Sequence, residues 1–423
     1  MRKEQVLIPL VREIVKRPKL AELFFRLDPW GNPFTDEMLN DPMTLAPEMR
    51  ADGPVAWSPL YQQWFFMGYE ESRDVLASPH VGTANQMDVL LSVRPYTQLS
   101  DQTRALMHNL LLLTDPPDHT RQRALVSRAF TPRQVSRLEP EMDEIVDELI
   151  AGFGDRVELM DEFAVPFPAM VIAKLIGFPR QDWTYLRDSA RTFSQITDPF
   201  RSFDPAEVDA ASDELHRRVR ALADERRENP ADDLMTGLVQ AQADDGDKLS
   251  DEELVSIIGL ILFAGHETTS NMFGLSALHL FNNPSETAKL DADPSLWSNA
   301  IEEILRYDPT LRVAVRSALE DFESAGHKIK KGQNIVVLAQ LSNRDLRRWS
   351  DADELRVDRD DPSPLSFGHG IHYCLGASLA RLEMRTALPK LIAALDGYTI
   401  ETDKLVWSPS LNLRGPLQMH LRR

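Results

Sequence analysis

Between residues 138 and 228 apolar positions recur with the spacing of amphipathic helices, broken by turns at Gly152-Phe-Gly154, Pro166, Pro179 and Pro199. Asn229-Pro-Ala-Asp-Asp and Asp244-Asp-Gly-Asp are polar breaks. Ser250-Asp-Glu-Glu253 then forms a capping box ahead of a long apolar run. The run predicts a helix reaching Phe281 and stopped by Asn282-Asn-Pro284, ~45 Å long at 1.5 Å per residue. Strand patterns are few and short. Val55-Ala-Trp57 and Trp64-Phe-Phe-Met67, separated by Pro59 and polar turn residues, read as a strand pair. Glu70–Ala77 reads as helix, and 80–100 as irregular, with Met87, Val89, Leu90, Leu91 and Val93 among polar residues. Helices outnumber strands, and no repeat, low-complexity tract or linker divides the chain. The pattern predicts one large domain, mainly α with small peripheral β-sheets, over 30–423, preceded by an N-terminal extension over 1–29.

Two stretches break the pattern. In the middle of the long helix stands Ala264-Gly-His-Glu-Thr-Thr269. Glycine and β-branched residues are poor choices for a helix interior, and Glu267 is costly if buried alone. A hydroxyl at Thr268 can bond back to the carbonyl of Ala264 and bend the helix there, opening a groove lined by small residues. Ala264 and Gly265 could equally serve close helix packing. The second stretch is Phe367–Gly376, which holds Cys374, the only cysteine, among Gly368, Gly370 and Gly376. Glycine permits positive φ and close backbone approach. Ala377 to Arg385 reads as a helix, so Cys374 lies just before a helix N-terminus, where an anion is favoured. A metal ligand, a nucleophile and an inert buried thiol all remain open from this stretch alone.

Charge narrows the function classes. The net charge is −19 and the pI about 5.0, which argues against nucleic acid as the main partner. One cysteine excludes an internal disulfide or a multi-cysteine zinc or iron–sulfur site, and fits a reducing, cytoplasmic setting. Pro9 interrupts the apolar run Val6–Val11, so no membrane span is expected; residues 1–27 read as an extension packed on its own domain. From His119 to Arg137 there are five arginines and no Asp or Glu. His119 and Arg123, four apart after the Pro116–Pro117 pair that starts a helix, share one face.

Phe367-x-x-Gly370-x-His372-x-Cys374-x-Gly376, followed by Ala380-Arg381-x-Glu383, closely resembles the haem-binding loop of the cytochrome P450 family. Ala264–Thr269 is similar to that family's oxygen-binding helix, and three further motifs follow in the family's order. The resemblance implies the cytochrome P450 fold and haem b, with Cys374 as the axial iron ligand. It implies that Phe367, Gly370, Gly376, Ala264 and Gly265 line the haem, and that His119, Arg123, Arg316 and His372 bind its propionates. Thr268 and Glu267 would manage protons at the oxygen site, with His266 facing away. Glu303 and Arg306 would form a buried pair tied to a meander over 343–359, where Leu346 replaces the family's usual proline. The implied activity is a bacterial-type monooxygenase that uses O2 to hydroxylate a hydrophobic molecule such as a fatty acid, terpenoid, steroid or polyketide. Residues 82–100, helices near 160–205, Leu260, Ile261, Phe263 and Val313 would line the pocket, with Arg312 facing either way. No flavin, nicotinamide or iron–sulfur signature is present, so electrons are expected from a ferredoxin and its NAD(P)H-dependent reductase. The ferredoxin would dock on the basic run after His119 with Arg344, Arg347, Arg348, Arg381 and Arg385. A monomer without membrane association is expected. A peroxide-driven peroxygenase, a non-catalytic haem sensor or carrier, and a non-haem enzyme with a nucleophilic Cys374 are the alternatives.

Overall fold

The computed structural model describes residues 41–423 except 42, 60, 93–94, 198–202, 242–247, 409 and 411. The expected N-terminal extension over 1–29, the first residues of the expected domain, and the breaks at Pro199 and Asp244–Asp247 lie outside the described residues.

The architecture is mainly helical, as expected. Its axis is the helix Asp251–Asn282, opened by the capping box: Ser250 Oγ accepts from the Glu253 N–H, and the Glu253 carboxylate accepts from the Ser250 N–H. It is buried on nearly every side, as befits a helix apolar all round. Helices Pro166–Ile176, Trp183–Thr197, Pro205–Glu228 and Ala377–Ala394 pack around it. Among the described residues no helix is long and apolar enough to cross a membrane.

The strands sit at the periphery. Val55–Ser58 and Gln63–Phe66 pair antiparallel, with Trp57 opposite Trp64. They extend into a five-stranded sheet through Asn334–Leu338, Val313–Ala318 and Val81–Gly82. That sheet has its own apolar core, including Phe66, Val75, Ile335 and Val337. Smaller sheets join Arg156–Glu158 to His420–Arg422 and Thr399–Ile400.

One expectation fails. Residues 84–91 are a helix, not irregular chain, with Met87 and Leu91 buried. These two positions are four apart, so a single helical face buries both against the main core. Tyr96, also inside the expected loop, is wholly buried and donates its hydroxyl to the Ile196 carbonyl.

Candidate functional site

The cysteine loop is held by its backbone. The Cys374 N–H donates to the Phe367 carbonyl at 2.9 Å. Gly368 and Gly370 take φ of 71° and 73°. At Gly370 a Cβ would also lie 2.5 Å from the Leu76 carbonyl oxygen, so no side chain fits. Gly376 has no such need: its φ is −85°, and a Cβ there would enter open space. Two arginines clamp the loop from outside. Arg123 donates to the Tyr373 carbonyl (2.8 Å). Arg381 stacks over Phe367 (4.4 Å), donates to the Tyr373 hydroxyl and pairs with Glu302.

Burial pushes the Cys374 thiol up, against weaker pulls from the Gly376 N–H, Arg123 and Arg381. The chain alone therefore holds a neutral thiol, and the helix N-terminus does not suffice to ionise it. Among the described residues no group of three or more His, Cys, Asp or Glu could hold a metal ion. A metal on Cys374 must bring its remaining ligands with it, as an iron in a macrocycle does.

Beside the loop, two arginines and two imidazoles converge, and the carboxylate that influences His119 and Arg316, that of Asp115, is already bonded by the Thr83 and Ala84 N–H groups. His119 and His372 face each other at 4.3 Å between ring centres. Both ring nitrogens of His119 and Nε2 of His372 are buried without a hydrogen-bond partner. Burial lowers both histidines, His372 to about 3. Arg316, buried on the sheet strand Val313–Ala318, donates only to its neighbour's carbonyl at Val315, and burial lowers it to about 10. Arg123 and Arg316 have no carboxylate partner among the described residues. Native structures rarely leave so many buried donors unsatisfied. This cradle fits a ligand carrying carboxylates, and with Cys374 it fits haem.

On the long helix the back-bond is made: the Thr268 hydroxyl donates to the Ala264 carbonyl at 2.6 Å. The helix nonetheless runs as continuous α-helix through this point. Leu260, Ala264 and Thr268, at i, i+4 and i+8, form one stripe. Leu260, Phe263 and Val313 keep accessible surface, whereas Ile261 is buried. A Cβ at Gly265 would stand 3.0 Å from Ile172, so its bareness lets the Pro166–Ile176 helix approach closely. His266 faces away from the stripe, its Nε2 bonded to the Val165 carbonyl (3.0 Å), and burial lowers it to about 4. Glu383, which burial raises well above the carboxylate range, meets the Thr269 hydroxyl at 3.4 Å and links the long helix to the one after the loop.

Glu303 and Arg306 are both wholly buried and paired at 2.7 Å. A third member, Arg359, was not visible as such in the sequence. Its Nε bonds both Glu303 oxygens at 3.0 Å, while Asp351 takes its other end. Arg306 also donates to the carbonyls of Asn343, Ala352 and Glu354. Asn343 in turn accepts from the Leu365 N–H and donates to Ser366. A rigid path thus runs from Arg306 to the start of the cysteine loop. Leu346, in place of proline, is exposed; Asp345 makes this turn by accepting from the backbone N–H groups of Tyr69 and Arg347.

The expected basic docking face is smaller than the sequence implied. Arg344 is buried over Tyr307. Arg347 pairs with Glu71 and Asp345, Arg348 with Asp361 and Arg381 with Glu302. Arg121 is taken by Glu253 and Arg137 by Asp232. Arg128, Arg133 and Arg385 are exposed.

The chain matches the family model described as Cytochrome P450 over residues 156–294 and 295–407. It is 36% identical over 373 residues to the Vitamin D(3) 25-hydroxylase of Pseudonocardia autotrophica, covering 87% of this chain and 88% of that one. It is 35% identical over 393 residues to the Cytochrome P450 monooxygenase PikC of Streptomyces venezuelae, covering 90% and 91%. It is 34% identical over 379 residues to the 6-deoxyerythronolide B hydroxylase of Saccharopolyspora erythraea, covering 87% and 92%. Among solved structures, CalO2 superposes with a TM-score of 0.86 at 28% identity, covering 93% and 98%. Ligand-free CYP164A2 of Mycobacterium smegmatis gives 0.81 at 34% identity, covering 92% and 98%.

Proposed function

Because the chain belongs to the cytochrome P450 family, we propose that it hydroxylates a hydrophobic small molecule with electrons from a ferredoxin and its NAD(P)H-dependent reductase. Its relatives are monooxygenases and hydroxylases, so it is an oxidoreductase that uses haem and O2. When bound, the haem supplies the activation of O2, one atom going to a C–H bond and the other to water.

Cys374 would hold the iron, whose charge reverses the balance that keeps the buried thiol neutral. His119, Arg123, Arg316 and His372 would hold the propionates, Arg316 through a guanidinium fork. Phe367, Gly370, Gly376 and Ala264 would border the ring. The observation that carries the oxygenase reading is the Thr268–Ala264 bond. Its hydroxyl proton is committed to a carbonyl, so toward the pocket Thr268 can only accept a hydrogen bond. It would orient a proton-donating water there, and Glu267, one residue earlier and half-buried, would relay protons to it. Leu260 and Phe263 would give the apolar wall.

Thr268→Val keeps the volume and removes the acceptor. Product formation with ferredoxin, reductase and NAD(P)H should fall roughly 10²-fold, while NAD(P)H consumption continues. Product from peroxide alone, indifferent to Thr268→Val, would favour the peroxygenase; no product under either regime would favour a carrier.

Electron delivery is assigned to the face around the cysteine loop. Ile371 and Tyr373 are exposed there. Arg133 and Arg385 flank it on helices Pro132–Ser136 and Ala377–Ala394, which pack together. Neither arginine has a carboxylate partner among the described residues. An acidic ferredoxin fits such a surface. The double reversal Arg133→Glu with Arg385→Glu should slow reduction about tenfold at low salt, with the difference shrinking as salt screens it. Equal rates at every ionic strength would remove the docking site.

A further inference from the structure

Arg312 stands apart from every network described above. Its backbone is pinned on both sides: its N–H donates to the Asn412 carbonyl, and its carbonyl accepts from the Ala339 N–H, both at 2.9 Å. Strand alternation puts Arg312, Ala314 and Arg316 on one face, and Arg316 lies within electrostatic reach of His119 and His372. Arg312 directly precedes the strand Val313–Ala318, and four steps of extended chain take it about 13 Å from Arg316 at 3.3 Å per residue. Arg312 therefore stands on the cradle's side of the sheet, well beyond the propionate cluster.

Its guanidinium has no hydrogen-bond partner among the described residues. The carboxylate that influences it, Asp308, is already saturated. Asp308 accepts from Arg414 Nε through both oxygens (2.9 Å), from Gln340 Nε2 (3.1 Å) and from His279 Nε2 (2.9 Å). The other charge near Arg312 is the cation of Arg414. Burial lowers Arg312 to about 10, yet the side chain keeps accessible surface. Its unpartnered guanidinium nitrogens are not closed off by the protein, so a ligand can reach them. Five N–H donors are thus open to a ligand on the cradle's side of the sheet without an acceptor.

We propose that Arg312 is a specificity-determining residue that binds a carboxylate on an otherwise apolar substrate. The inference rests on the monooxygenase reading and narrows its substrate class. A guanidinium takes a carboxylate through two parallel charge-assisted hydrogen bonds, and an alcohol of the same chain offers only a neutral partner.

The test is a paired titration of the haem-loaded protein with dodecanoate and 1-dodecanol, read by the Soret shift and by calorimetry. The wild type should bind the acid at least about tenfold more tightly. Arg312→Met should abolish that preference by weakening the acid alone, and Arg312→Lys should restore part of it. Equal affinity for acid and alcohol in the wild type, no binding of the acid, or equal weakening of both in Arg312→Met would each overturn the proposal. A ferrous–CO spectrum of the thiolate type accompanying such a result would leave the family reading intact. Absence of that spectrum would remove the monooxygenase reading itself.

Discussion

Cys374→Ser is expected to leave the fold in place and to abolish hydroxylation. The loop is shaped by a backbone bond from residue 374 to Phe367 and by two glycines, none of which needs the sulfur. Thermal unfolding of the cofactor-free variant should therefore match that of the cofactor-free wild type. A serine hydroxyl is a far weaker acid than a thiol, and this site opposes ionisation by burial even of the thiol. Serine therefore offers the iron no anionic ligand. Product formation should fall by roughly 10³-fold or more, the scale expected when one member of a catalytic unit is removed. Cys374→His separates cofactor binding from chemistry. A neutral imidazole ligates haem iron well, so this variant should retain haem in part of the molecules. Its ferrous–CO complex should lack the thiolate-type Soret band, and it should form no product. Turnover of Cys374→Ser at the wild-type rate would refute the assignment of the ligand.

The largest loss of stability is expected at Arg306. It is wholly buried and bonds Glu303 through two nitrogens as well as three backbone carbonyls. With Arg359 and Asp351 the network pairs two cations with two carboxylates. Arg306→Ala leaves Glu303 and three carbonyls short of donors in a dry site. Breaking a buried pair from one side costs about 3–5 kcal/mol, a large part of the 5–15 kcal/mol of an ordinary domain. Arg306→Lys should rescue little, because one ammonium cannot reach acceptors spread around a planar fork. The path through Asn343 to Leu365 and Ser366 predicts a second effect: the haem-to-protein ratio should drop along with the urea midpoint. Glu302→Gln, which breaks the partly exposed pair with Arg381, should cost about 1 kcal/mol or less. An unchanged midpoint in Arg306→Ala would show that the network is not what holds the meander.

Local rules were legible where their partners are local. The capping box at Ser250, the back-bond from Thr268 to Ala264 and the pairing of Trp57 with Trp64 each depend on residues a few positions apart, and each is present. Gly368, Gly370 and Gly376 were legible only as a group suited to close approach; what sets Gly370 apart, the Leu76 carbonyl pressed against it, comes from a helix nearly 300 residues earlier. What escaped was set by distant partners. Arg347 looked like surface charge until folding brought Glu71 to it. Arg359 became the third member of the buried network only because the meander returns to Glu303. Gly265 suited an oxygen groove and a helix contact equally well, and its contact, Ile172, lies far away in the sequence. The helix Ala84–Leu91 was obscured by polar residues flanking its two anchors, Met87 and Leu91. Substrate preference was least legible, since the partner of Arg312 belongs to another molecule.

With one thiol in 423 residues, ageing of this protein by thiol chemistry is all-or-none. Burial keeps the thiol neutral and slow to oxidise when the cofactor is lost, but a sulfur taken past the sulfenic stage is not restored. Each molecule then either can take up the cofactor or is past reloading. A stored sample loses capacity by a shrinking head-count of competent molecules, while every survivor works at its original rate.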